Sequence, residues 1–149
     1  MKISSNMSKT CYEIWKRAAR EATNLHHSMQ GPEHIVLAML LKNDSPAYRV
    51  LNSVGVTYAR VLPIVRPMHL ANVGSRLIEQ YSASAEAIGK NAVTIARKNN
   101  ATAVARPGHL LEAILRSDDI NVVQLFDSLR IKRKIVLAKI IDAVSAEEN

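Results

Sequence analysis

The sequence predicts an all-α protein in which two pseudo-twofold-related four-helix repeats pack into one domain. Three observations carry that expectation. A helix start of the form Pro-x-His occurs twice, in Gly31-Pro32-Glu33-His34-Ile35-Val36-Leu37-Ala38-Met39-Leu40 and in Arg106-Pro107-Gly108-His109-Leu110-Leu111-Glu112-Ala113-Ile114-Leu115, with Pro107 falling 75 residues after Pro32. Apolar residues return at helical spacing through most of the chain. Residues are 48% hydrophobic but only 4% aromatic, so Ala, Leu, Ile and Val must fill the core. That composition suits packed helices better than a β-sandwich.

Residues 1–8 read as a loose arm, and Ser8 as the N-cap of a first helix over about 9–27. Its Cys11, Ile14, Trp15, Ala18, Ala22 and Leu25 form one apolar stripe, with Lys16, Arg17, Arg20 and Glu21 mainly opposite. On that stripe Trp15 reads as core and Cys11 as a small buried hydrophobe. The second helix, about 32–41, has Gly31 at the N-cap, Pro32 at the first helical position and Glu33 facing the positive end of the helix dipole. Asn43, Asp44 and Ser45 break it. Ser45 caps a third helix with Pro46 at its first position, and Gly55 ends it. Thr57 caps a fourth through Val65, with Pro63 in its first two turns. Residues 66–82 show no period, and Leu70, Val73, Leu77 and Ile78 are equally suited to covering the core or meeting a partner.

The second half repeats the first. A helix near 83–99 carries Ala85, Ile88, Ala92, Ile95 and Ala96, and Pro107 to Arg116 matches 32–41. Asp118 reads as the cap of a helix through Leu129, Arg130 stands where Gly55 stood, and a last helix spans about 132–144. Ala22 and Ala96 match at an offset of 74, so one residue has been gained before Pro107. Ser145 to Asn149 should fray. Neither half is large enough to close a core alone. The expectation is one domain over 1–149: repeat one at about 8–66, a linker at 67–82 and repeat two at 83–144.

The totals exclude several functions. One cysteine permits neither an intramolecular disulfide nor a cysteine-based zinc site. No apolar run reaches the roughly 18 residues of a membrane span, and Met1 to Thr10 has no signal-peptide core, so a soluble intracellular protein is expected. His26 and His27 are adjacent and point about 100° apart on a helix. None of the histidines forms a His-x-x-x-His pair, so no metal site is expected. There is no nucleophile elbow, no phosphate-binding Gly-rich loop and no paired acid–base constellation. The expectation is no catalytic residue and no cofactor. The formal charge of +7 leaves a basic helical nucleic-acid-binding protein as the alternative. Its densest cluster is Arg130, Lys132, Arg133 and Lys134, at a helix start beside Ile131 and Ile135 and without interleaved aromatics for base stacking.

Glu21-Ala22-x-x-Leu25-x-His27, then Gly31-Pro32-Glu33-His34-Ile35-x-Leu37-Ala38-x-Leu40, then Ala47-x-x-Val50-Leu51-x-x-x-Gly55-Val56 together resemble the double-repeat N-terminal domain of the Clp (Hsp100) AAA+ unfoldases, ClpC and ClpA type. The resemblance covers about Ser8 to Val144, and Asn99, Asn100 and Ala101 depart from it in the second half. It implies a non-catalytic interaction module. Such a module recruits substrate or adaptor proteins to an AAA+ unfoldase that works with the Clp peptidase, as its N-terminal domain or as a stand-alone accessory. It implies the bacterial cytoplasm or the plastid stroma. Pseudo-symmetry then predicts the partner-binding surface where the two Pro-x-His starts approach each other, at Gly31, Pro32 and Glu33 and at Arg106, Pro107 and Gly108, flanked by residues 66–82.

In some bacterial relatives the glutamates of paired Gly-Thr-Glu-His motifs hold phosphorylated arginine. A carboxylate suits the guanidinium and helix N-terminal amides suit the phosphate. Here Glu33 keeps the first glutamate, but Pro32 and Pro107 replace both threonines and Gly108 replaces the second glutamate. These departures weigh against phosphoarginine, most strongly at the second motif. Glu33 reads equally well as a helix-dipole carboxylate with no ligand.

Overall fold

The computed structural model describes residues 3–68, 82–98 and 100–148. Among these, eight α-helices follow a short 3-10 turn at Ile3–Asn6: α1 Lys9–Asn24, α2 Pro32–Met39, α3 Pro46–Ser53, α4 Tyr58–Val65, α5 Ala83–Arg97, α6 Pro107–Leu115, α7 Ile120–Leu129 and α8 Arg133–Glu148. The expected linker lies almost wholly outside the described residues.

The starts follow from the caps. Ser8, Ser45, Thr57 and Ser82 each accept the backbone N–H three residues on through the side-chain hydroxyl. Pro32, Pro46 and Pro107 occupy first-turn positions, where the missing N–H costs nothing. Gly55 (φ +84°) and Arg130 (φ +58°) turn the chain after α3 and α7 in the left-handed region. Asp119, not Asp118, caps α7: its Oδ1 accepts from Asn121 N at 2.9 Å and Val122 N at 3.2 Å. The first helix stops at Asn24, earlier than expected, because His26 takes φ +59° and folds His27 back under the helix end.

The helices pair as a duplicate. The α1–α2 pair corresponds to α5–α6, and across the halves α3 packs on α8, α4 on α7, α2 on α7 and α3 on α6. The two central helices touch each other near the axis. Every residue of α2 is buried, and in α6 only Glu112 is not. Beyond their first turns both helices are almost wholly apolar, which suits the centre of the core. The stripe on α1 is core as expected: Cys11, Ala18 and Ala22 are 0% exposed and Trp15 is 7%.

Two further expectations fail. Residues 1–8 are not wholly a loose arm. Asn6 O accepts from Ala105 N at 2.8 Å, and Ser8 N donates to Ala105 O at 2.8 Å. The Arg97 guanidinium also holds Asn6 Oδ1 at 2.6 Å. Ser82 N donates to Gln30 O at 2.8 Å, so each repeat's first N-cap is tied to the strand-like segment before the other repeat's central helix. The second failure is the frayed tail. α8 continues to Glu148 because Val144 is buried and Glu147 lies 3.6 Å from Arg106.

Candidate functional site

Both Pro-x-His starts use the histidine as a cap. Gly31 N–H donates to His34 Nδ1 at 2.8 Å, and Arg106 N–H donates to His109 Nδ1 at 3.0 Å. The third helical residue thus reaches back to the N-cap amide, as in a capping box. In the first repeat the chain of bonds continues. His34 Nε2 lies 2.7 Å from His27 Nδ1, and His27 Nε2 lies 3.0 Å from Arg66 O. Directions are assigned from the network: Gly31 N–H makes His34 Nδ1 an acceptor, so Nε2–H donates to His27 Nδ1 and His27 Nε2–H donates to the carbonyl. Both rings are buried and, in this arrangement, neutral. They act as structural links between α1, α2 and the end of α4.

Glu33 lies at the centre of the first start and is 0% exposed. Its Oε2 accepts from Asn121 Nδ2 at 3.0 Å, a contact between the repeats. The carboxylate folds over Gly31 so closely that a Cβ there would sit 2.4 Å from Oε1. Any larger residue at 31 would make the Glu33 carboxylate shift, whereas the extended backbone there suits any residue. A first-turn carboxylate between the starts of α2 and α7 also meets two favourable helix dipoles.

The second start is built differently. A Cβ at Gly108 would lie 2.4 Å from Val144 Cγ2 and 3.6 Å from Ile140 Cδ1. The side of α8 fills the space that a glutamate would need. Pro107 and Gly108 are buried, while Arg106 remains part-exposed beside Glu147. Of the six residues singled out by pseudo-symmetry, Gly31, Pro32, Glu33, Pro107 and Gly108 are thus inside the molecule, and Arg106 is on its rim.

The basic cluster after α7 is partly committed to the fold. Arg133 Nη1 donates to Ser117 O at 2.7 Å, and Arg130 is the left-handed cap. Lys132 and Lys134 alone in that run are both exposed and free of such a role among the described residues. Burial pushes the Cys11 thiol up to about 12, so the thiolate needed for reactivity is absent at neutral pH. Glu21, itself buried, accepts from Arg17 Nε at 3.0 Å and from the Tyr58 hydroxyl. Among the described residues no group of three or more His, Cys, Asp or Glu side chains is placed to hold a metal ion. No described helix is long and apolar enough to cross a membrane.

Sequence reading missed three participants. His27 belongs to the family-like pattern, but its bond to His34 depends on the left-handed turn at His26. Asn121 reaches Glu33 from the other repeat, and Val144 reaches Gly108 from the border of a tail expected to fray. The one available signal was Gly108 itself, a glycine where a first-turn carboxylate was expected.

Two four-helix repeats sharing one core, each with a buried Pro-x-His helix start, define the class of the Clp-type N-terminal double-repeat domains. The chain belongs to that family: the Clp repeat (R) N-terminal domain matches residues 6–129. Its fold is similar to the N-terminal domain of the caseinolytic protease associated chaperone ClpD from Arabidopsis thaliana (TM-score 0.79, 16% identity, 97% of each chain covered). It is similar also to the Hsp104 N-terminal domain from Candida albicans (TM-score 0.71, 15% identity, 93% of this chain and 91% of that one). A third similar structure is a ClpV N-domain in complex with a VipB peptide (TM-score 0.63, 15% identity, 92% and 90%). No curated protein matches the chain by sequence.

Proposed function

We propose that this chain is a non-catalytic recruiting module of the Clp system. It holds substrate or adaptor proteins for an AAA+ unfoldase and its peptidase, either as the unfoldase's N-terminal domain or as a separate chain. The observation that carries this reading is the family match over 6–129 on an intact double-repeat fold. The peptide bound to the ClpV N-domain supports protein segments as the ligand class. The bacterial cytoplasm or the plastid stroma is the compartment this reading implies.

Within the six proposed residues, Arg106 is the member that a partner meets directly. Gly31, Pro32, Glu33, Pro107 and Gly108 shape the ground beneath it. Phosphoarginine is the weaker ligand. Its guanidinium would have to displace Asn121 from Glu33, and the second start has Gly108 in place of the first-turn carboxylate. A nucleic-acid role gains no support from the 130–134 run, where Arg133 already serves helix-end carbonyls.

The test is size-exclusion co-migration with a purified ClpC- or ClpA-type unfoldase, the Clp peptidase, their adaptors and an unfolded protein. A saturable complex with at least one is expected. No complex across the whole set would overturn the proposal.

A further inference from the structure

The outer face of α1 and the end of α2 enclose a cleft of about 490 Å³ that the helix starts do not use. Its floor is apolar, made by Ile14 and Ala38, and Leu41 stands on the rim at 45% exposure. Its walls are basic: Lys16, Arg17 and Arg20 from α1, and Lys42 just past α2. Two carboxylates answer part of this charge. Glu21 holds Arg17 at 3.0 Å, and Glu13 lies 3.6 Å from Lys42. Lys16 sits over the Tyr12 ring at 4.7 Å. Lys16 and Arg20 have no carboxylate partner among the described residues and are both exposed.

The duplication supplies an internal control. On the matching α5–α6 face, Asn91 and Thr94 stand where Arg17 and Arg20 stand, and Arg116 and Ser117 replace Leu41 and Lys42. There Lys90 is paired with Glu86 at 3.3 Å and Arg116 with Glu112 at 3.0 Å. The same helix pair therefore packs without surplus charge and without an exposed leucine. Neither feature of the first face is needed for folding.

We propose that the α1–α2 cleft docks an acidic, leucine-bearing peptide segment, with its carboxylates on Lys16 and Arg20 and its leucine against Leu41. Two surplus cations suit a pair of carboxylates. A nucleic-acid backbone asks for a longer cationic track than two side chains provide. The inference stands on the cleft alone, whichever Clp component the module serves.

The experiment is fluorescence anisotropy with a labelled peptide of alternating Glu-Leu character. It is run beside the same peptide with Gln for Glu, the same with Lys for Glu, and a single-stranded DNA oligomer. Proteins are the unaltered chain, Lys16→Glu/Arg20→Glu, and Lys90→Glu as the control face. The acidic peptide should bind at least about tenfold more tightly than the Gln peptide, because charge complementarity carries the selectivity. Lys16→Glu/Arg20→Glu should reverse the preference toward the Lys peptide, and Lys90→Glu should change nothing. The reversed preference keeps the test meaningful, since an unfolded variant could not gain a ligand. Absent acidic-peptide binding, equal Glu and Gln affinity, no reversal, an equal loss in Lys90→Glu, or tighter DNA binding at the same salt would each overturn the proposal.

Discussion

Gly108→Ala isolates the reason the second repeat has no open pocket. The new Cβ would meet Val144 Cγ2 at 2.4 Å, about 1 Å inside ordinary contact. The tip of a β-branched residue cannot swing aside, so α8 must retreat from α6. Overpacking of this kind costs about 1–3 kcal/mol, and the gain in helix propensity from Gly to Ala returns at most about 1 kcal/mol. The single change should therefore destabilise by about 1–2 kcal/mol, a fall of about 2–8 °C in Tm for a chain of this size. Val144→Ala alone should cost about 1–2 kcal/mol for two buried methyl groups lost. Together the two changes compensate, because the methyl introduced by Gly108→Ala would occupy the volume that Val144 vacates. Urea unfolding followed by circular dichroism gives the cycle, and a favourable coupling of at least about 1 kcal/mol is expected. Simple additivity, or a Gly108→Ala protein as stable as the unaltered chain, would refute the claim that α8 closes the second start.

Four other outcomes follow from the same geometry. His34→Ala removes the acceptor for Gly31 N–H and the partner of His27, both buried, and should cost about 2–4 kcal/mol in urea unfolding; an unchanged midpoint would refute the linked-histidine reading. Glu33→Lys buries a cation against Asn121 Nδ2 and should destabilise by about 3–5 kcal/mol, while Glu33→Gln keeps an oxygen for Asn121 and should be at least about 2 kcal/mol milder; equal thermal shifts would contradict this. Burial, with the Glu21 carboxylate bonded to its hydroxyl, pushes Tyr58 up from 10.0 to about 12. Its contribution to stability is thus full below pH 10.0 and fades as pH rises toward 12; ultraviolet titration should show a tyrosine with that midpoint, which Tyr58→Phe removes. The Cys11 thiol should react with a disulfide reagent only as fast as the domain opens, and rapid labelling of native protein would show that it is not buried.

Most of the helices were legible because their signals are local. Ser45-Pro46 and Thr57 announce starts through a side chain and a ring, and Gly55 announces an end through a backbone angle. The duplication was legible because Pro32 and Pro107 repeat the same local device. What escaped depends on contacts between distant segments. The tie from Asn6 and Ser8 to Ala105 is made by backbone groups, which leave no mark in residue identity. The last turns of α8 carry no apolar period beyond Val144, and Glu147 holds its place beside an arginine from another helix. Glu33 is the sharpest case. A first-turn carboxylate gives no local sign of burial, and one of the groups that makes it tolerable, Asn121, comes from the other repeat. The two Pro-x-His helix starts were therefore legible in position, while the burial of their residues was not. The α1–α2 cleft was legible as a polar side of a helix, but its apolar floor needs α2 to be seen.

Recruitment of protein to a Clp motor is the role proposed for this double-repeat domain. Its most direct test is to graft the chain in place of the N-terminal domain of a ClpC-type unfoldase. ATP-dependent degradation of an unfolded reporter would then be measured with the matching peptidase. Degradation above that of the motor lacking an N-terminal domain is expected, with competition by excess free chain. Degradation no faster than the truncated motor's, with the grafted domain shown to be folded, would contradict it.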